Sequence, residues 1–316
     1  MTTETQTLDY LAGETISKAK TLDDVCKLGQ FNFEVEQTPL FTPEGEEIPS
    51  KKLLRRSDTG HMLGIVGGRY NSVDSRTMLE PFHELVRESG AVYENAGVIG
   101  GGRQCWVSAT LPAKFEVAGR SKDVVDLRVV CLIRHDGLGR NAYFSLANRL
   151  FCNNQLRLIQ NAGSKSDYSL THTKNWEEQW KVATTGFKGA IRSLVEFESV
   201  ASALNSMKMS EKEMEVFMKH LYRLNIKEDL TPRGEKKCDA LKYLFSKGIG
   251  NRGETRWDAL NAVTEYLDHR SFKLFKTDAQ TRIARQNRFA SNLNGYSANL
   301  KNRALELLTD RELVLK

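Results

Sequence analysis

Apolar positions change period part-way along the chain. Between residues 61 and 160 they fall mainly in short runs. Met62–Tyr70 is apolar with glycines, and Ser75–Ser89 is the exception, with Met78, Leu79, Phe82, Leu85 and Val86 at helical spacing. Val92–Val98 and Gln104–Thr110 read as strands joined through Gly100-Gly-Gly-Arg103. Val124–Arg134 and Asn141–Ala147 form a second hairpin around His135-Asp-Gly-Leu-Gly139, where Asp-Gly signals a tight turn.

From Asn175 onward the spacing becomes helical. Trp176, Trp180, Ala183, Phe187, Ala190, Ile191, Leu194, Phe197 and Leu204 predict one long helix. Ser210 with Glu213 forms a capping-box pattern ahead of Met214, Phe217, Met218 and Leu221. Pro232–Lys247, Thr255–His269, Asp278–Leu293 and Tyr296–Leu308 follow as further helices. The pattern predicts an α+β fold: a twisted antiparallel sheet with hairpins and one early helix, then a long helix and a helical C-terminal half. Residues 1–60 read as an acidic, loosely structured arm, 61–174 as the sheet core, and 175–316 as the helical half with a basic tail.

The segment Gly253-Glu-Thr-Arg-Trp-Asp-Ala-Leu-Asn-Ala-Val-Thr-Glu-Tyr-Leu-Asp-His269 has two faces that can be written out. Thr255 is the predicted N-cap, and Asp258 lies in the first turn, where a carboxylate meets the positive end of the helix dipole. Trp257, Leu260, Val263 and Leu267 face a core. Asp258, Asn261, Glu265 and Asp268 form the second stripe, which reads either as a solvated face or as an acid site.

This segment resembles the C-terminal signature of an uncharacterised family of phage- and plasmid-encoded proteins. Val66-Gly-Gly-Arg-Tyr-Asn-Ser-Val73, Phe82–Gly97 and Gly101-Gly-Arg-Gln-Cys-Trp-Val107 resemble the same family. So do His135-Asp-Gly137, Asn148-Arg-Leu-Phe-Cys-Asn-Asn-Gln-Leu156 and His172-Thr-Lys174, over roughly residues 60–275 in the same order. The resemblance implies a mobile-element context and no particular activity.

Forty per cent hydrophobic and 27% charged residues place the 316-residue chain among soluble proteins. No apolar run approaches the ~20 residues that span a bilayer, and the first residues lack a secretory pattern, so the host bacterial cytoplasm is the expected compartment. Cys26, Cys105, Cys131, Cys152 and Cys238 are odd in number and show no C-x-x-C pair, which points away from disulfides and zinc ribbons. The net charge of +6 is unevenly spread. Acids dominate residues 1–48, whereas 270–303 carries Arg270, Lys273, Lys276, Arg282, Arg285, Arg288, Lys301 and Arg303 against Asp278 alone.

Some motifs are imitations. Gly248-Ile-Gly-Asn-Arg-Gly253 spells G-x-G-x-x-G, but a helix precedes it where a dinucleotide fingerprint needs a strand. What survives is a loop feeding a helix N-terminus beside Arg252 and Arg256, a place that can hold a phosphate. His135 and Asp136, adjacent at a hairpin tip, point apart and suit the turn better than a shared ion. The acid stripe keeps open a metal-dependent hydrolase or nuclease built on Asp258, Glu265, Asp268 and His269.

The favoured reading is single-stranded DNA binding. Arg282, Arg285 and Arg288 at i, i+3 and i+6, with Lys273 and Lys276, would make a cationic ridge. Arg69 with Tyr70, Arg103 with Trp106, and Arg140 with Tyr143 pair cations with aromatics, the combination that holds a backbone while bases stack. The element order also resembles the Rad52-like single-strand annealing proteins. That resemblance implies a groove lined by Arg69, Arg103, Arg140, Lys165 and Lys174, a ring or filament of identical subunits, and no nucleotide cofactor or metal. A non-enzymatic counter-defence role, with the acidic head as a decoy, is a third option.

Overall fold

The computed structural model describes residues 13–121, 123–150, 154–158, 169–170, 195–224, 231–271 and 277–310. Its N-terminal part corrects the expectation of a loose arm. Strand β1 (Glu14–Thr15) pairs with a central strand, and Thr21 caps helix α1 (Leu22–Leu28) through a reciprocal box with Asp24. Strands β2 (Val35–Phe41), β3 (Glu47–Arg56) and β4 (Met62–Gly67) form a small antiparallel sheet. Ile16, Val25, Phe31, Phe33 and Leu54 from this region are buried in the main core. The polar composition that suggests an arm belongs to outward faces, and a few well-spaced apolar residues suffice to anchor the segment.

Helix α2 (Ser75–Ser89) begins at Asp74, whose carboxylate accepts from the Thr77 amide, and ends at Gly90 in the left-handed conformation. The expected hairpins follow. Strand β5 (Val92–Ile99) turns through 100–103 into β6 (Gln104–Glu116), and β7 (Val124–Arg134) turns through 135–140 into β8 (Asn141–Arg149). Strands β9 (Asn154–Leu158) and β10 (Ser169–Leu170) share the outer edge of β8. The large sheet runs β1-β5-β6-β7-β8, antiparallel throughout, with β9 and β10 beyond β8.

Both faces of this sheet are covered, so β7 reads as an almost continuous apolar run instead of alternating. Val129, Cys131 and Ile133 face α2, which contributes Met78, Leu79 and Phe82. Val130 and Leu132 point the other way, joining Trp106, Phe144, Phe289 and Leu293.

The helical part described begins with α3 (195–206), followed by α4 (Glu211–Leu221), α5 (Pro232–Lys247) and α6 (Arg256–Glu265). Helix α6 runs into a π-helical turn at Tyr266–Arg270, and α7 (Asp278–Asn294) and α8 (Tyr296–Thr309) follow. Trp176, Trp180 and the rest of the predicted long helix before 195 lie outside the described residues. Phe197 of α3 packs on Phe115 and on Trp257, ring centroids 6.1 and 6.2 Å apart, so helical part and sheet share one core. No helix among the described residues is long and apolar enough to cross a membrane.

Candidate functional site

The acid stripe of α6 is not a solvated face, because all ten residues of the helix are buried. Each carboxylate meets its own partners. Arg120 pairs with Asp258 at 2.7 Å, and both side chains are almost fully enclosed. Lys301 of α8 pairs with Asp268, whose other oxygen accepts from the Gln155 amide at 3.0 Å. Glu265 accepts from the Ile249 amide at 3.0 Å. A fourth carboxylate, Asp123, receives Arg149 through Nε and Nη2 and the Trp257 indole N–H. Removing such charges from water is costly unless pairing and hydrogen bonds compensate, and here both are present.

The glycine loop before α6 explains where a phosphate would have gone. The amides of Arg252, Glu254 and Thr255 donate to the Asp258 carboxylate at 3.1–3.2 Å. Thr255 and Asp258 also form a complete capping box. The anion held at this helix N-terminus is therefore the chain's own. Arg256 turns away and donates to the carbonyls of Leu308 and Asp310 at the end of α8. Of the two arginines expected beside a bound phosphate, Arg256 is a buried clamp and Arg252 is exposed.

Proton affinities follow from this packing. Burial pushes the Asp258 carboxyl up, but the Arg120 hydrogen bond and charge with the loop amides outweigh it and hold Asp258 below its ordinary value. Burial raises Glu265 despite the Ile249 amide and Arg270. Burial lowers Lys301 against the pull of Asp268. His269 is half-buried in the π turn. Among the described residues no group of three His, Cys, Asp or Glu side chains is arranged to hold a metal ion.

The expected stacking aromatics divide. Trp106 is fully buried against Phe289, ring centroids 4.2 Å apart. Tyr143 is buried, stacks on Phe82 at 6.0 Å, and donates to the Met78 carbonyl. Neither presents a ring to solvent, because a sheet covered on both faces buries both alternating sets of side chains. Tyr70 is half-buried, and burial together with the Asp136 charge raises its phenol. The ridge on α7 is also corrected. Arg282 is exposed, Arg285 half-buried and Arg288 buried, since α7 rolls its third arginine onto the sheet beside Phe289. Lys165, Lys174, Lys273 and Lys276 lie outside the described residues.

Arg69, Arg103 and Arg140 are all exposed, Arg103 and Arg140 at the ends of the two hairpin turns. The His135 amide donates to the Arg103 carbonyl at 2.8 Å, setting the two hairpin turns side by side. Strand β4 lies against the second turn so closely that a Cβ on Gly64 would stand 2.3 Å from the Asp136 carbonyl oxygen. Arg69 follows β4 directly, and its neighbour Tyr70 feels the charge of Asp136. Arg103 and Arg140 thus stand on hairpin turns that lie side by side, and Arg69 follows the strand packed against the second of them.

Sequence reasoning missed Arg120, Asp123, Arg149 and Lys301. Arg149 stands in the Arg-Leu-Phe-Cys-Asn run, but nothing local marks a buried cation. His135 likewise points inward, its Nε2 2.8 Å from the Ser75 hydroxyl. Cys26, Cys105, Cys131 and Cys238 are buried free thiols, and burial pushes Cys105 up to about 12, away from a reactive thiolate.

Apart from α8, the segments that meet around α6 and the three exposed arginines fall within one family match. The chain belongs to the family described as Domain of unknown function (DUF932). The match spans residues 62–294, from the start of β4 to the end of α7. The DUF932 segment therefore holds the α6 carboxylates, Arg120, Asp123, Arg149 and the three turn arginines, and it leaves out Lys301. No curated protein matches the chain, and no solved structure does.

Proposed function

We propose that this DUF932 chain is a single-stranded DNA-binding protein that promotes strand annealing, acting as an oligomer of identical subunits in a phage or plasmid context. The observation that supports the reading best is the exposure of Arg103 and Arg140 on two hairpin turns held side by side, with Arg69 exposed just past the strand that packs on the second turn. Cations fixed on rigid turns hold a phosphate backbone without reading sequence, which is what annealing requires of its protein. Trp106 and Tyr143 take no part, so base contact falls to other side chains at this end. Chemistry on the α6 carboxylates is not needed, since Asp258 and Asp268 already neutralise buried cations and Glu265 accepts from the Ile249 amide.

The test is the triple variant Arg69→Ala, Arg103→Ala, Arg140→Ala. Each phosphate contact on a single strand contributes a log–log salt slope of roughly −0.7, so losing three should flatten the slope by about 2. An unchanged slope with intact folding would remove this end of the molecule from the reading.

A further inference from the structure

The turn between β7 and β8 displays a leucine that the fold does not use. Leu138 is 80% exposed, the most exposed of the large hydrophobic side chains described. A lone exposed leucine on a loose loop is ordinary. This one stands on a braced tip. Arg134 grips Asp136 through two bonds, Nε to Oδ1 at 3.3 Å and Nη2 to Oδ2 at 2.9 Å. Asp136 Oδ1 in turn accepts from the Leu138 amide at 2.9 Å. Gly137 adopts φ +70°, and Gly139 lets the Arg134 guanidinium lie beneath the turn, where a Cβ would come within 2.5 Å of Nη1. The carbonyl of Asp136 is backed by β4 at Gly64.

We propose that Leu138 is an apolar wedge that enters between successive bases of a bound single strand. The inference rests on the reading above and supplies the base contact that Trp106 and Tyr143 cannot make. Arg140 lies two residues from Leu138, and Arg103 is on the neighbouring turn, so exposed cations stand near the tip to hold phosphates next to the inserted side chain. Apolar wedges of this kind part base steps when flanking cations hold the backbone. A braced tip loses little freedom on binding, which favours insertion over a flexible loop of the same composition. Opening the stack at intervals would leave base edges facing outward, available to a complementary strand.

The experiment uses the full chain and a single-stranded oligonucleotide carrying 2-aminopurine, read by fluorescence intensity and by anisotropy across a salt series. The wild type should raise 2-aminopurine fluorescence on binding. Leu138→Ala should lose that rise and bind about five- to tenfold more weakly, the low end of one base-stacking contact, while keeping the salt slope. Leu138→Met should restore the rise. If the wild type binds with a steep salt slope but gives the same fluorescence as Leu138→Ala, the wedge is overturned and the arginine reading stands. If the wild type binds no oligonucleotide, the reading falls and the wedge with it. A change of oligomer mass in Leu138→Ala, with base unstacking untouched, would assign the leucine to a protein contact and also overturn the wedge.

Discussion

Trp257 and Asp123 are joined by an indole N–H to carboxylate hydrogen bond of 3.0 Å, across 134 positions of sequence. The same carboxylate receives two bonds from Arg149, which also donates to the Ile249 carbonyl at 3.0 Å. The bond ties the start of α6 to the loop ahead of β7, and Arg149 extends the tie to the end of β8. The polar contacts around α6 therefore position the helical part on the sheet.

Removing Asp123 should be far worse than removing its partner's N–H. Asp123→Ala takes the carboxylate from a buried guanidinium and should cost about 3–5 kcal/mol. Trp257→Phe shrinks the ring and forgoes one hydrogen bond to a charged group, the bond alone being worth about 1.5–3 kcal/mol. Urea midpoints at constant m-value measure both. A cost of only about 1 kcal/mol for Asp123→Ala would show that the tie is packing and not charge.

Acid stability should carry the mark of Asp258. Its pKa is lowered in the folded chain, so the folded state binds fewer protons than the unfolded state between the folded value and the ordinary 3.8. The stabilisation is present above that window and is lost as pH falls through it. Asp258→Asn should be less stable than the wild type at neutral pH and should show a flatter acid limb. Denaturant midpoints from pH 6 to pH 2.5 read both effects.

Glu265 has the opposite sign. Its pKa is raised from 4.5, so its contribution is fully present below the unfolded value and fades as pH rises through the folded one. Glu265→Gln keeps an acceptor for the Ile249 amide and is expected to match or exceed wild-type stability at neutral pH. The advantage should shrink toward pH 4. A large loss at neutral pH would mean that the charge itself is required.

Much of the fold was legible because local signals agreed with it. Helix α2 begins and ends where its apolar spacing does, the capping box at Ser210 forms as its spacing implies, and Thr255 is the N-cap of α6. Both hairpins turn at their glycines. The surroundings of α6 were not legible. Its acids look amphipathic because their partners Arg120, Arg149 and Lys301 are distant in sequence, and a buried charge pair leaves no period. The aromatics misled for a related reason. Trp106 and Tyr143 lie on opposite faces of the sheet, and only tertiary packing shows that both faces are covered.

Trp106 offers a clean separation of core from interface. Trp106→Phe shrinks a filled site against Phe289 and is expected to destabilise the fold by about 1–3 kcal/mol, between a one-methylene truncation and Trp→Ala. Its salt slope for single-stranded DNA should equal that of the wild type. A selective loss of binding in a stably folded Trp106→Phe would return the aromatic to the interface.

The most direct test of the central claim is a titration of the full chain against a fluorescent single-stranded DNA oligonucleotide, followed by anisotropy over a salt series, with a duplex of the same sequence as control. The account predicts tighter binding to the single strand, weakening steeply with salt, and a slope that flattens when Arg69, Arg103 and Arg140 are replaced together. Absent binding, or equal binding to the duplex, would contradict it.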